Sequence, residues 1–328
     1  MKAKILEILN NSQDYISGER LSELCGVSRT AIWKQINNLK KEGYKIDTQP
    51  RTGYLLKSRP DKFIKAEILA ELATLNWGEN IYTFAEVDST NNVAKKLAAE
   101  GRPEGTIVVA ERQLQGKGRL GRTWVSPTGK GIWVSLILRP DILPTASPQI
   151  TFVLAVAMVK ALKKSLNITP KIKWPNDILI DGKKVAGILT ELSAEIERVN
   201  YIIVGIGVNA NQNPADFPAE FREKATSLKS VLGREIPRVK VLQGMLEEIE
   251  STYQEYLRGD FSTVIKEWKA NSLTIGQEVE VIMGAEKIAG NAVDVDHDGC
   301  LIVRDAGGEL HRIIAGDVSL RNKDGRYV

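Results

Sequence analysis

Apolar positions recur at helical spacing through the first forty residues and at strand spacing through much of the rest. Lys2 to Leu9 shows one amphipathic helix pattern and Gly18 to Leu24 a second. A third runs from Ser28 to about Glu42, with Ile32, Ile36 and Leu39 on one apolar face. Ser28 is a good N-cap for it, and Cys25-Gly26-Val27 is the short turn that precedes it. The opposite face presents Thr30, Lys34, Asn37, Asn38 and Lys41, with Arg29 in the first turn. Tyr44 to Asp47 and Tyr54 to Lys57 then flank Gln49–Gly53 as a hairpin whose tip holds Arg51. This order is that of a winged helix-turn-helix, the hairpin being the wing. A helical interaction domain with merely solvated lysines is the plain alternative. The basic tip beside a basic helix face favours DNA.

Beyond Ser58–Asp61, read as a linker, the pattern changes to short apolar runs alternating with helices. Helices are expected at Lys65–Leu75, Asn91–Glu100 and Gln149–Ser165, and strands at Asn80–Val87, Thr106–Ala110, Gly131–Leu138 and Lys171–Trp174. Ile178 to Ile180 and Lys184 to Ala194 flank an Asp181-Gly182 hairpin turn, and Tyr201 to Val208 is a further strand. Asn211 to Ser230, with Pro214 and Pro218, is a long loop and a candidate second ligand-ordered loop. Five short strands follow, at Glu278–Met283, Ile288–Val295, Cys300–Arg304, His311–Ala315 and Val318–Arg321. They suit a small SH3-like β-barrel. The expected organisation is therefore α/β (α+β) and multidomain: 1–60 a winged-helix DNA-binding domain, 61–270 a central α/β domain, and 271–328 the small barrel. A chain of 328 residues is long enough for two or three cores.

Charge strengthens the first assignment. Residues 1–60 hold 11 Lys and Arg against 6 Asp and Glu, a net of +5. The remainder of the totals of 45 and 41 is 34 against 35, so the chain's excess of +4 comes from its first fifth. Cys25 and Cys300 are the only cysteines, and His297 and His311 the only histidines. No disulfide framework is implied, a reducing cytoplasm fits, and a zinc site or histidine triad has little to be built from. The longest apolar run, Ile150 to Val159, falls short of the roughly 20 residues of a membrane span.

The most informative segment is Gly116-Lys-Gly-Arg-Leu-Gly-Arg-Thr-Trp124. Its glycines permit close approach of a backbone to a ligand, its three cations suit phosphates, and its indole offers an apolar face to a base. Gly116, Gly118 and Gly121 also satisfy G-x-G-x-x-G, but a dinucleotide site needs a helix to open at the last glycine. Here Pro127 and Gly129 break any such helix, so a long strand-to-strand loop is expected. Asp88, Ser89 and Thr90, between a strand and a helix, read by themselves as ordinary helix caps.

Together GKGRLGRTW (116–124), KWPND (173–177), KKVAGILTEL (183–192) and GIGVN (205–209) strongly resemble the biotin protein ligases. With the winged helix, the chain resembles the bifunctional kind, ligase and biotin operon repressor in one, over nearly its whole length. The resemblance implies a class II synthetase-like catalytic domain that joins biotin to ATP, with Mg²⁺, and transfers the biotinyl group to a lysine of biotin carboxyl carrier protein. It implies a biotin pocket of Ser89, Thr90, Asn91, Gln113, Lys117, Gly118, Arg119 and Lys184. Catalytic roles fall to Lys184, Arg119 and Arg122, with the neighbouring Lys183 an alternative to Lys184. The nucleotide is expected at Gly116, Gly121, Trp124, Asn176, Asp177 and Asn209. Trp124 could instead pack beneath the loop, and Asp177, a candidate with Asn176 for Mg²⁺ or phosphate, could instead pair with Lys173. Operator DNA is expected at Ser28, Arg29, Thr30, Lys34, Asn37, Lys41 and Arg51, by a homodimer in the adenylate-bound form, with no membrane partner. The family loop commonly has arginine at the position of Lys117 and often a basic residue at that of Leu120, so affinity for the adenylate, or its retention, can differ.

Two other classes stay open at this point. One is a biotin-responsive DNA-binding sensor with little ligase turnover, against which Lys184 and the complete loop argue. The other is a lipoate or octanoate ligase, against which the winged helix and KWPND argue.

Overall fold

A computed structural model describes residues 1–320 except Leu75, Asp260, Gly284, Ala285 and Ala315. The expected strand ends at Ala315 and Arg321, and the rest of the C-terminus, lie outside the described residues. The chain forms two compact units, Met1–Lys62 and Phe63–Val328.

The first unit contains α1 (Lys2–Asn10), α2 (Gly18–Cys25), α3 (Arg29–Lys41), β1 (Lys45–Gln49) and β2 (Gly53–Ser58). Side-chain caps start two of the helices: Ser17 Oγ accepts from the Arg20 N–H and Ser28 Oγ from the Ala31 N–H. Gly26, in the left-handed region at φ 67°, ends α2 and lets the chain turn into α3. Ile32, Ile36 and Leu39 are buried against Ile5, Leu9, Leu21 and Tyr44, so the helical spacing seen in the sequence is the core face. β1 and β2 pair antiparallel with Gln49 opposite Gly53. Tyr54 and Ile16 exchange both backbone hydrogen bonds at 2.9 Å, tying the hairpin to the segment before α2. Gly53 is required there, because a Cβ would lie 2.1 Å from the Ile16 carbonyl oxygen.

The second unit is built on one mixed sheet. In chain order its elements are α4 (Lys65–Leu69), β3 (Ile81–Phe84), α5 (Thr90–Ala99), β4 (Ile107–Ala110), β5 (Gly131–Leu138), α6 (Ser147–Leu166), β6 (Lys171–Lys173), β7 (Asp177–Ile180), β8 (Lys183–Ala194), β9 (Val199–Asn209), α7 (Leu228–Leu232), α8 (Arg238–Leu257) and α9 (Phe261–Ala270). The strand order is β3-β4-β5-β9-β8-β7-β6, antiparallel except for β3 with β4. Period-two alternation sorts the side chains. Ile107 and Val109 join the large core with α6 and α8, while Val108, Ile137 and Ile203 form a smaller one with Ala94 and Ala98 of α5. Pro144–Leu166 is long and apolar enough to cross a bilayer, but Ile150, Val153, Leu154, Ala157 and Leu162 are buried in the protein's own core.

The fourth helix stops at Leu69, short of the expected Leu75. Carboxylates of α8 take over the amides that a longer helix would bond: Glu247 accepts from Ala73, and Glu250 from Asn76 and Trp77. The long loop after β9 likewise shortens, since Ser227 caps α7. The final strands are β10 (Glu278–Met283), β11 (Glu286–Val295), β12 (Leu301–Arg304), β13 (Leu310–Ile313) and β14 (Asp317–Leu320). They form an antiparallel sheet in the order β13-β12-β11-β10-β14. Its Val279, Val303 and Ile313 are continuous with the core of the larger sheet, and Trp174, buried, donates to the Gly299 carbonyl at 3.0 Å.

Candidate functional site

The strands β8 and β9 pair Gly187 with Gly207, leaving bare backbone in the middle of the sheet. The Trp124 indole lies on that patch: a Cβ on Gly207 would sit 2.5 Å from its Nε1, and one on Gly187 would sit 3.1 Å from its Cζ3. Trp133 meets the same indole edge-on at 6.5 Å. Trp124 therefore packs on the sheet while also lining the cleft above it. Lys184 Nζ stands 5.2 Å from the centre of this ring and 2.7 Å from Asp177 Oδ1. Asp177, a backbone partner of Lys173 across β6 and β7, turns its Oδ1 to Lys184. Lys183 points elsewhere, its ammonium 3.8 Å from exposed Glu223, because neighbouring residues of a strand face opposite sides.

The glycine-rich segment is a tight hairpin. Trp124 N–H donates to Gly116 O at 2.8 Å and Gly118 N–H to Arg122 O at 2.7 Å, with Leu120 and Gly121 at positive φ on the tip. A Cβ on Gly116 would be 2.3 Å from Trp124 O. The close approach that the glycines permit is thus, in this structure, the loop's own backbone. Arg119 reaches Asn176 Oδ1 and Gly316 O, both at 3.3 Å, and Lys117 donates to Asn92 Oδ1. Asn176 also donates to Ile188 O at 2.7 Å, so its amide is engaged at both ends.

At the other end of the cleft the start of α5 supplies hydroxyl and amide groups. Ser89 occupies the N-cap position but makes no capping bond, contrary to the helix-cap reading of the sequence. Gln113 Oε1 accepts from the Thr90 N–H at 2.8 Å and its hydroxyl at 3.0 Å, and Gln113 Nε2 donates to Ser126 Oγ. Buried Ser135 lies 2.7 Å from Thr90 Oγ1 and 2.6 Å from Asn91 Oδ1. Asn91 Nδ2 donates to Glu191 at 2.7 Å, and Lys95 pairs with the same carboxylate. Burial pushes the Glu191 carboxyl up, but the bonds from Lys95 and Asn91 and the charges of Lys95 and Lys117 outweigh it and hold it below its ordinary range.

Of the expected cleft residues, Ser89, Thr90, Asn91, Gln113, Lys117, Gly118, Arg119, Arg122, Trp124, Asn176, Asp177, Lys184 and Asn209 all line this one space, about 1300 Å³ with its open mouth. Gly116 and Gly121 do not; they shape the hairpin. Asn209 is buried, its amide donating to Thr226 O and accepting from Gln212, so it also anchors the loop over the cleft. Sequence reading singled out this loop and its Pro218 but not Phe217 or Phe221, and it missed the floor glycines, Ser135 and Glu191. Two cues were available: glycines alternating at 205 and 207 on a strand, and a serine inside the otherwise apolar run 131–138.

In the first unit, Arg29, Thr30, Lys34, Lys41 and Arg51 are exposed, while Asn37 is half-buried. Ser28 spends its hydroxyl on the cap of α3. Trp33, 58% exposed, had not been expected on this side. It lines a groove with Arg29 and Thr30 and, from the hairpin, Thr48–Tyr54.

Known proteins match this architecture piece by piece. Residues 2–55 match the HTH domain family, 83–209 the biotin/lipoate A/B protein ligase family, and 274–321 the biotin protein ligase C-terminal domain. The chain is 40% identical over 321 residues to the bifunctional ligase/repressor BirA of Bacillus subtilis, covering 98% of both chains. It is 28% identical to the Escherichia coli protein of that name, over 98% of this chain and 97% of that one. Among solved structures, the biotin protein ligase of Aquifex aeolicus, in complex with biotin and ATP, superposes with a TM-score of 0.64 at 33% identity, covering 75% of this chain and all of that one. The chain belongs to the biotin protein ligases, in the bifunctional ligase/repressor group that places a helix-turn-helix ahead of the catalytic domain.

Proposed function

We propose that this protein joins biotin to ATP as biotinyl-5′-adenylate and then passes the biotinyl group to a lysine of biotin carboxyl carrier protein. The observation that carries this reading is the cleft's two unlike ends. Neutral hydroxyls and amides come from Ser89, Thr90, Asn91 and Gln113, and cations come from Lys184, beside the Trp124 ring, and from Arg119 and Arg122. A ureido ring needs donors and acceptors rather than charge. A nucleotide needs charge for its phosphates and an apolar face beside its base.

In the first step a biotin carboxylate oxygen attacks the α-phosphorus. The new O–P bond forms as the bond to the bridging oxygen breaks, and pyrophosphate leaves with that electron pair. Two anions must be brought into line, so the protein supplies charge and alignment, and no protein nucleophile is needed. Lys184 exchanges its bond to Asp177 for the carboxylate and α-phosphate oxygens, steadied by the Trp124 face. Arg119 and Arg122, on the hairpin, close over the phosphates, and the closed loop keeps water from the mixed anhydride. Gly116 and Gly121 serve adenylate binding by shaping that loop. In the second step the neutral carrier amine attacks the acyl carbon, the amide C–N bond forms as the acyl C–O bond to the phosphate breaks, AMP leaves with that electron pair, and the nitrogen gives up a proton to solvent. Mg²⁺ would enter with ATP. The Asn176 amide is engaged at both ends and Asp177 is shared with Lys184, so these two make no ready metal cage, and any contact to the ion falls to Asp177.

The winged helix reads operator DNA through Arg29, Thr30, Lys34, Asn37, Lys41 and Arg51, with Ser28 holding the start of the helix. One such unit reads one half-site, so repression of biotin synthesis and transport genes is the work of a homodimer in the cytoplasm, favoured by the adenylate. Ultracentrifugation should show self-association strengthened by biotin with ATP; a monomer unchanged by them would end the dimer mechanism.

Pyrophosphate exchange into ATP tests the enzymology, with biotin, lipoate or octanoate as the sole acid. Exchange with biotin alone is expected. Exchange with another acid would move the chain to the lipoate ligases, and none, with biotin still bound, would leave a sensor.

A further inference from the structure

The polar end of the cleft is wired to a charge that does not line it. Glu191, on β8, accepts from Asn91 Nδ2 at 2.7 Å and from Lys95 Nζ at 2.5 Å. A carboxylate can only accept, so the Asn91 amide is locked with its nitrogen toward Glu191 and its oxygen toward Ser135. Asn91 Oδ1, 2.6 Å from Ser135 Oγ, can only accept there, so Ser135 spends its single proton on it. The remaining contact, 2.7 Å between Ser135 and Thr90, then has Thr90 as its only possible donor. Gln113 Oε1, held by the Thr90 N–H, is the other acceptor offered to that hydroxyl. In either arrangement the Thr90 proton is directed into the protein and its lone pairs are left for the cleft. The space for this relay is cut into the sheet. Gly205 is the β9 partner of Ser135, and a Cβ on it would stand 2.2 Å from Asn91 Oδ1.

We propose that Glu191 is a positioning residue for ligand recognition: through Asn91 and Ser135 it orders the protons of the relay so that Thr90 presents an acceptor to a ring N–H of the bound ureido group. This rests on the biotin reading above. Lys95, which like Glu191 does not line the cleft, keeps the carboxylate ionised and in place. Glu191→Gln removes the constraint at its source, because an amide both donates and accepts and the relay can then run either way. Ser135→Ala cuts the relay in the middle with the loss of one atom.

The test is calorimetric binding of biotin, and of an isostere with one ureido N–H replaced by CH₂, to wild type, E191Q and S135A, with the KM for ATP measured alongside. Thermal melts report whether each variant folds, and should E191Q fail to fold, S135A decides. In both variants the biotin Kd is expected to rise about threefold to tenfold, the worth of one neutral hydrogen bond. The KM for ATP is expected to stay within about twofold. The preference of wild type for biotin over the isostere should narrow in both variants, which a merely structural role of Glu191 would not produce. Unchanged biotin binding, an equal loss of biotin and ATP affinity, or an undiminished preference would overturn the relay while leaving the ligase reading intact. A wild type that binds no biotin would overturn both.

Discussion

The two units of this protein use side chains in opposite ways. In the first, the residues expected to meet DNA stand on one exposed helix face and a hairpin tip, all within 24 positions of one another, and Arg29, Thr30, Lys34, Lys41 and Arg51 are all exposed. In the second, the cleft draws on residues from 89 to 225, and most of its polar groups are bonded to one another. Exposed groups that act singly give small and nearly additive effects when removed. Networked groups give large ones, because each loss strands a partner.

Substitutions can sharpen or break that contrast. The largest expected effect is that of Lys184→Ala. Biotin-dependent pyrophosphate exchange should fall about 10²–10³-fold, as when one charge-stabilising donor is lost, while operator binding in the absence of biotin is retained. Exchange at the wild-type rate would remove Lys184 from the chemistry. Next is Gly207→Ala, whose methyl would press on Trp124 at 2.5 Å. Urea unfolding should show a loss of about 1–3 kcal/mol from overpacking, with Gly187→Ala, at 3.1 Å, costing less. If both are silent, the indole is not seated as described.

On the other unit, Lys34→Ala or Arg51→Ala should weaken operator binding evenly across DNA sequences and lower the salt slope by about 1 each. Ligation should be untouched, and its loss in either variant would contradict the independence of the two surfaces. The smallest effect is reserved for Ser28→Ala, which removes the cap of α3 and should cost about 1 kcal/mol of stability. A fall in DNA affinity larger than that, with no change in the melting of the first unit, would make Ser28 a contact and not a cap.

How much could be read from the chain follows the same division. Helical spacing, Ser28 before a helix and a glycine-turned hairpin lie within a few residues of each other, so α3 and the wing were legible almost to the residue. In the cleft, the resemblance to the ligases named residues that line one space, Gly116 and Gly121 apart, and it ranked Lys184 above Lys183. The partner of Asp177, the seat of Trp124 and the relay through Ser135 to Glu191 could not be read, because each joins segments between 7 and 100 positions apart. The end of α4 at Leu69 was misjudged for the same reason: Glu247 and Glu250, some 174 positions away, take its amides.

By itself, then, the sequence determined the order of helices and strands, the basic first unit and the glycine-rich loop with its cations, and its resemblance to the ligases added a list of residues for a ureido ring and a nucleotide. The tertiary structure alone decided which of those residues face one space and what each is bonded to. Local patterns are set by backbone geometry and burial of one face, which a few neighbouring residues specify. Hydrogen-bond direction, ion-pair choice and the bare floor under Trp124 depend on strand register, and register is a property of β5, β8 and β9 assembled together.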